Sequence, residues 1–182
     1  MNADTWLDLL NSDWHDPLGS GRHEDRLEDP RWLEGFISRS NLDLRGVPRR
    51  LLVPALRRLR ETMRSIVDRI VAGKKSRTGD WSGLSAYLEN VPFIRKVRAN
   101  ETGLELVEIS VSDKLEVCLA SLARSFVETI AQGDISRLKV CRNKDCRWVY
   151  LDASRNRSRR WCETTCGNLM KVRRYRERQR KK

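Results

Sequence analysis

Apolar runs are short in this 182-residue sequence, and none reaches the roughly 18 residues that a membrane-spanning helix needs. The first residues, MNADTWLDLLNSDW, lack the basic start and the apolar stretch of a secretory leader. A chain with neither is expected in the cytoplasm and is not expected to span a membrane. Internal repeats and low-complexity tracts are missing as well, which excludes a repeat architecture. Histidine is scarce: only His15 and His23 occur, both far upstream, so the C-terminal part has no histidine to serve as a general base or a catalytic metal ligand. Cysteine is almost absent from the first 140 residues, where Cys118 stands alone.

What the sequence does hold is concentrated at its end. The stretch CRNKDCRWVYLDASRNRSRRWCETTCGNLMKVRRYRERQRKK carries the other four cysteines, with 15 Lys and Arg against 4 Asp and Glu, which is +11 of the formal +12 of the whole chain. The first 140 residues are nearly neutral, with 22 basic and 21 acidic side chains. A neutral body with one strongly basic module is the asymmetry expected of a protein that meets a polyanion, nucleic acid first among them. The length suits one ordinary core plus a small appendage. The expected division falls in AQGDIS, giving a helical domain over 1–136 and a finger over 137–182.

The body reads as mostly helix. In RRLLVPALRRLRETMRSIVDRIVAG, residues Leu52, Leu56, Leu59, Met63, Ile66, Val67 and Ile70 recur at steps of three and four, and Gly73 stops the run; its start lies near Pro48 or at Pro54. In SDKLEVCLASLARSFVETIAQGD, Leu115, Leu119, Leu122, Phe126 and Ile130 repeat the pattern, with Ser112 or Asp113 as cap and Gly133 as terminator. Cys118 lies on that apolar face, where it reads as a small buried hydrophobe. PFIRKVRAN and GLELVEIS, alternating around NETG, read as a β-hairpin. GDWSGLSAYLENV reads as a short helix capped by Asp80, GKKSRTGD as a solvated loop, and two more short helices are expected around Trp6–Leu10 and Pro30–Ile37. Trp6, Trp14, Trp32 and Trp81 suit a core role, and also a ligand pocket or a dimer interface. The fold expected is mostly α with a small β-hairpin.

Cys141 and Cys146 enclose four residues, Cys162 and Cys166 enclose three, and 15 residues separate the pairs. Each tight turn brings two thiolates to one side of an ion and the loop closes the cage, so this spacing points to one structural zinc per chain, saturated by four sulfurs. The alternatives, an iron–sulfur cluster, a redox switch or two disulfides, suit the spacing or the reducing compartment less well. RWVYLD then reads as a strand with Trp148 and Tyr150 on one face, and the second pair leads into a helix, as in a treble-clef finger. That helix offers only Leu169, Val172 and Tyr175 to a core. Lys171, Arg174, Arg178 and Lys181 form one basic stripe on it, and Arg173, Arg176 and Arg180 spread over the other side. Arg155, Arg157, Arg159 and Arg160 add a second basic cluster in the loop between the cysteine pairs. Two arginine sets pinned by one rigid node suit duplex DNA, with Arg173 included among the expected contacts.

The run WVYLDASRNRSRRWC followed by CGN and a basic helix resembles the CGNR zinc-finger family, whose members carry a four-cysteine finger behind a mostly helical ABATE domain. WLDLLNS and the Leu/Arg-rich helix after Pro48 resemble the corresponding ABATE segments, so the likeness spans the chain. It implies a bacterial transcription regulator linked to stress responses, and places the zinc ligands on Cys141, Cys146, Cys162 and Cys166. In one respect the chain departs from the pattern: Leu169 stands where the family has arginine after Cys166-Gly167-Asn168.

Other readings stay open at this stage. A metal-dependent nuclease would need an open metal site and a histidine near the finger, so no enzyme is expected. SDWHDPLGSGRHED gathers Asp13, His15, Asp16, His23, Glu24 and Asp25, but its Gly and Pro break any regular ligand spacing, and it reads as a polar surface loop. A zinc-stapled module for RNA or an acidic protein is the alternative to a DNA reader. A homodimer and a small-molecule signal held by the body are both compatible with the sequence.

Overall fold

A computed structural model describes residues 5–74, 78–101 and 103–180. In chain order its elements are α1 (Thr5–Leu10), β1 (Asp13–His15), β2 (His23–Asp25), α2 (Pro30–Ser40), α3 (Arg49–Val71), α4 (Thr78–Glu89), β3 (Phe93–Asn100), β4 (Gly103–Ser110), α5 (Lys114–Gln132), β5 (Leu138–Val140), β6 (Val149–Leu151) and α6 (Thr164–Arg180). The strands form three separate antiparallel pairs, β1–β2, β3–β4 and β5–β6, so the architecture is mostly helical as expected, with more than the one hairpin anticipated. Residues 75–77 of the expected loop, Thr102 of the hairpin turn and Lys181 of the basic stripe lie outside the described residues.

The two long helices follow their apolar periodicity. α3 begins immediately after Pro48, which caps it in extended conformation, and runs through Pro54; a proline this near the start forfeits one backbone hydrogen bond. Its buried side is Leu52, Val53, Ala55, Leu56, Leu59, Arg60, Met63, Ile66 and Val67. At its end Gly73 takes φ +65°, while Lys74 donates its N–H to the Arg69 carbonyl at 3.0 Å, closing the last turn. α5 is capped by Asp113, whose carboxylate accepts the Glu116 N–H at 2.9 Å, and buries Cys118, Leu119, Leu122, Ala123 and Phe126. The Cys118 thiol is pushed up to about 12 by burial, as befits a packing residue. Asp80 falls two residues inside α4 and so does not occupy its cap, in contrast to the sequence reading.

α1 fills the crossing of α3 and α5. Trp6 is fully buried, meets Phe126 edge-on at 5.1 Å between ring centres, and donates its indole N–H to Thr129 Oγ1 at 3.2 Å. Trp32 stacks on Phe36 at 5.4 Å, and Trp81 packs against the same core. The β3–β4 ribbon is largely exposed on both faces and adds little to that core. Leu138 of β5 and Val149 of β6 do join it, 3% and 1% exposed. The body's core thus runs past the sequence boundary at 136 into the strand pair that carries the cysteines.

Candidate metal centre and nucleic-acid interface

The β5–β6 pair builds the cysteine cluster. Cys141 follows β5 directly and donates its N–H to the Trp148 carbonyl at 2.8 Å; Cys146 closes the turn with its N–H on the Asn143 carbonyl at 3.0 Å; Cys166 is the third residue of α6. Arg147 takes φ 54°, which turns the chain from the ligand loop into β6. The four Sγ atoms lie within 4.8 Å of one another and all four cysteines are buried. Cys146 and Cys162 are 3.6 Å apart, and Cys162 and Cys166 3.7 Å apart. Those edges match a tetrahedron with metal–sulfur bonds of about 2.3 Å, whose edge is about 3.8 Å, and exceed a disulfide bond of about 2.05 Å. Four sulfurs this close cannot all carry charge unless a cation sits among them. Hydrogen bonds from Cys146 and Cys162 pull the Cys141 thiol far down, and the same sharing pushes Cys146 and Cys162 up. The donor set fits one structural zinc ion, and with four protein ligands it leaves no open coordination position.

Around the sulfurs, Trp148 and Trp161 pack as covers and Tyr150 is buried beside them. Asn143 is fully buried, with its amide Nδ2 3.8 Å from Cys166 Sγ and 2.8 Å from the Pro17 carbonyl, so one side chain supports the metal site and ties it to the body. A second tie is Asn11, at the end of α1: its Nδ2 donates to the Val149 carbonyl at 2.9 Å and its Oδ1 accepts the Val149 N–H at 2.8 Å. A third is Arg173 of α6, which reaches Asp145 at 2.7 Å and the Leu18 carbonyl at 2.8 Å. Gly19 makes that approach feasible, since a Cβ there would lie 2.9 Å from both Arg173 Nη2 and Asp145 Oδ2, and its φ is +86°.

The loop between the cysteine pairs is pinned from inside. Asp152, with no exposed surface, accepts the Ser154 and Arg159 N–H groups at 2.9 Å each, and hydrogen bonds led by Ser154 hold its carboxyl below the ordinary value. Tyr150 donates its hydroxyl to the Arg159 carbonyl at 3.0 Å, and Arg142 donates its N–H to the Arg160 carbonyl at 3.0 Å. On this frame Arg155, Arg157, Arg159 and Arg160 are all exposed. Arg157 pairs with Asp134 at 2.7 Å, and Arg159 lies over the Tyr150 ring at 5.1 Å and donates to the Trp161 carbonyl at 2.8 Å. In α6 the stripe Lys171, Arg174 and Arg178 is exposed, with Arg174 over the Trp161 ring at 5.8 Å. Within the stripe, Arg174 therefore lies at the end of the arginine loop, while Arg173 faces the body. Val172 and Tyr175, expected to pack inward, are 45% and 60% exposed; α6 buries only Cys166 and Gly167, the latter against Trp161.

Two basic residues escaped the sequence reading. Lys139 and Arg142 line a cavity of about 530 Å³ together with Arg157, Arg159 and Arg160. The pairing of β5 with β6 brings Lys139 there and the Arg142 N–H on the Arg160 carbonyl brings Arg142, and a three-residue strand makes neither visible in the sequence.

Comparison with known families follows the same division. The model of the family described as "Putative stress-induced transcription regulator", ABATE, matches residues 3–133, and that of the CGNR zinc finger matches residues 137–179. The chain belongs to the ABATE family. A search of curated proteins finds no match. An ABATE domain followed by a CGNR finger supports a regulatory role, and among the described residues no helix is long and apolar enough to cross a membrane.

The polar stretch between α1 and α2 differs most from its sequence reading in this ABATE chain. It is no irregular loop: β1 and β2 pair with His15 opposite His23 and Asp13 opposite Asp25. Asp25 receives a bidentate pair from Arg60 at 2.7 and 2.8 Å and a further bond from Arg57 at 2.9 Å. Burial would raise the Asp25 carboxyl, but the guanidiniums outweigh it and hold it down to about 2. Asp13 behaves likewise, lowered by hydrogen bonds from His23 and His15 against the effect of burial. The signal for this hairpin was present as two polar runs, DWH and HED, around a Gly/Pro-rich turn, but without apolar alternation it carried no period.

Proposed function

We propose that this ABATE protein is a DNA-binding transcription regulator and not an enzyme, reading duplex DNA with the finger while the helical body, residues 1–136, serves sensing or dimerisation in the cytoplasm. The observation that carries this is the closeness of two exposed basic sets: Arg174 of the α6 stripe lies over Trp161, at the end of the loop that exposes Arg155, Arg157, Arg159 and Arg160. Arg155, Arg160 and Lys171 have no hydrogen bond or ion pair from their side chains among the described residues, so meeting a phosphate costs them no existing partner. Arg173 is left out of the interface, because Asp145 and the Leu18 carbonyl already occupy it. Lys139 and Arg142 extend the basic surface beside the loop.

If about six side chains of the loop and stripe neutralise phosphates, log affinity falls with log salt at a slope of roughly −5, at about −0.9 per contact. Measured on the full-length, zinc-loaded chain with mixed-sequence duplexes, Arg160→Glu is expected to reduce that slope in magnitude and to weaken binding to all sequences alike. Salt-insensitive binding, no binding at low ionic strength, or a strong preference for single-stranded RNA overturns the proposal.

A further inference from the structure

We infer that Asp13, His15 and His23 form a second metal site, one that takes a first-row divalent transition cation on two imidazole nitrogens and a carboxylate oxygen. The inference is independent of the DNA-binding reading. It starts from the register of the β1–β2 pair. Asp13 and His15 are two residues apart on one strand and so share a face, and His23 stands directly across from His15 on the other. Their ligating atoms already converge: His23 Nε2 is 2.5 Å from Asp13 Oδ1, His15 Nε2 is 3.3 Å from Asp13 Oδ2, and all three residues offer atoms within 4.8 Å of one another. Ligands held about 2.1 Å from one ion at angles near 90–110° stand about 3.0–3.4 Å apart, so small side-chain adjustments complete the site. The two rings lie 4.6 Å apart between centres at 35°, with the same nitrogen of each turned to the carboxylate.

The donor set selects the ion. Two imidazoles and a carboxylate suit zinc, iron(II), cobalt or nickel better than the hard cations magnesium and calcium, and a three-ligand face leaves coordination positions open. This distinguishes it from the saturated four-sulfur site. His23 is half exposed and gives an entry path, and a cavity of about 420 Å³ on the Asp13 and His23 side has room for waters on the open positions. Positive charge nearby is mostly spoken for: Arg60 and Arg57 are paired with Asp25, and Arg64 with Asp68. The competitor is Arg147, whose Nη1 lies 3.4 Å from His15 Nε2; its exposed side chain must swing out as the ion enters.

The test uses the full-length protein with zinc in its cysteine site, dialysed against cobalt(II). The expected result is one retained zinc plus one cobalt per chain, the cobalt showing weak ligand-field absorption without the intense thiolate charge-transfer bands of a sulfur site. His23→Gln and His15→Gln are each expected to weaken cobalt binding at least about tenfold, since even supporting residues around a metal are worth that much. Zinc content should stay at one per chain in both, showing that the finger is folded. Arg147→Gln should strengthen cobalt binding by removing the competing cation. Uptake of no cobalt at about millimolar concentration, cobalt that enters only by displacing zinc, or uptake unchanged in both histidine variants overturns the inference.

Discussion

Asn11→Ala tests how firmly the finger is built into the body. Asn11 is 6% exposed and its side-chain amide closes both hydrogen bonds of the Val149 backbone, at 2.9 and 2.8 Å, where Val149 itself is 1% exposed. Truncation removes two bonds and leaves a buried N–H and a buried carbonyl without partners, each costing about 1–3 kcal/mol. Partial access of water to the vacated space reduces the sum to about 2–4 kcal/mol. For a chain of this length that corresponds to a melting temperature lower by about 5–15 °C. Val149 lies three residues after the ligand Cys146, so the same change should loosen the metal loop and speed transfer of zinc to a chromophoric chelator several-fold. Circular dichroism of the helices follows the first effect and chelator absorbance the second. A loss of stability under about 0.5 kcal/mol would be within the range of ordinary surface substitutions. Such a result, or a destabilised body that releases zinc at the wild-type rate, would show that the body and finger do not share this joint.

Two further outcomes follow from the same geometry. Stripping zinc, or Cys162→Ser, should lower the melting temperature of the helical body as well as unfold the finger, because Leu138 and Val149 belong to the body's core; scanning calorimetry with and without chelator checks it, and a body transition unmoved by metal removal refutes it. Acid should destabilise the chain through Asp25: its carboxyl is lowered from 3.8 to about 2, so its contribution of about 2 kcal/mol is full above pH near 4 and is lost as pH falls towards 2, and Asp25→Asn should flatten urea stability across that window.

Periodicity made the body legible. α3 and α5 bury the positions that steps of three and four picked out, because an amphipathic helix writes its buried face into a local pattern that a core then only has to accept. The cysteines were legible for a different reason: a four-sulfur site has a chemical identity and spacing that few other structures need, and the measured sulfur separations agree with it. Asn11, Asn143 and Arg173 were not legible. Each acts through a long-range partner, Val149, Pro17 and Leu18 respectively, and a polar residue in a loop or on an exposed helix announces nothing about a partner more than 100 positions away.

The β1–β2 hairpin shows where the reasoning from spacing breaks down. Gly and Pro in a helix would scatter potential ligands, and by that logic the stretch from Asp13 to Asp25 reads as surface loop. In a hairpin the same residues do the opposite: a turn built on Pro17, Gly19 and Gly21 folds the strands back so that His15 meets His23, eight positions later, face to face. Distance along the chain misleads in the same way for the finger. His15, 126 residues before Cys141, lies beside Arg147, because the turn of this hairpin is the surface on which Asn143 and Arg173 dock. The residues least interpretable in the sequence are thus the ones that join the two parts of the molecule.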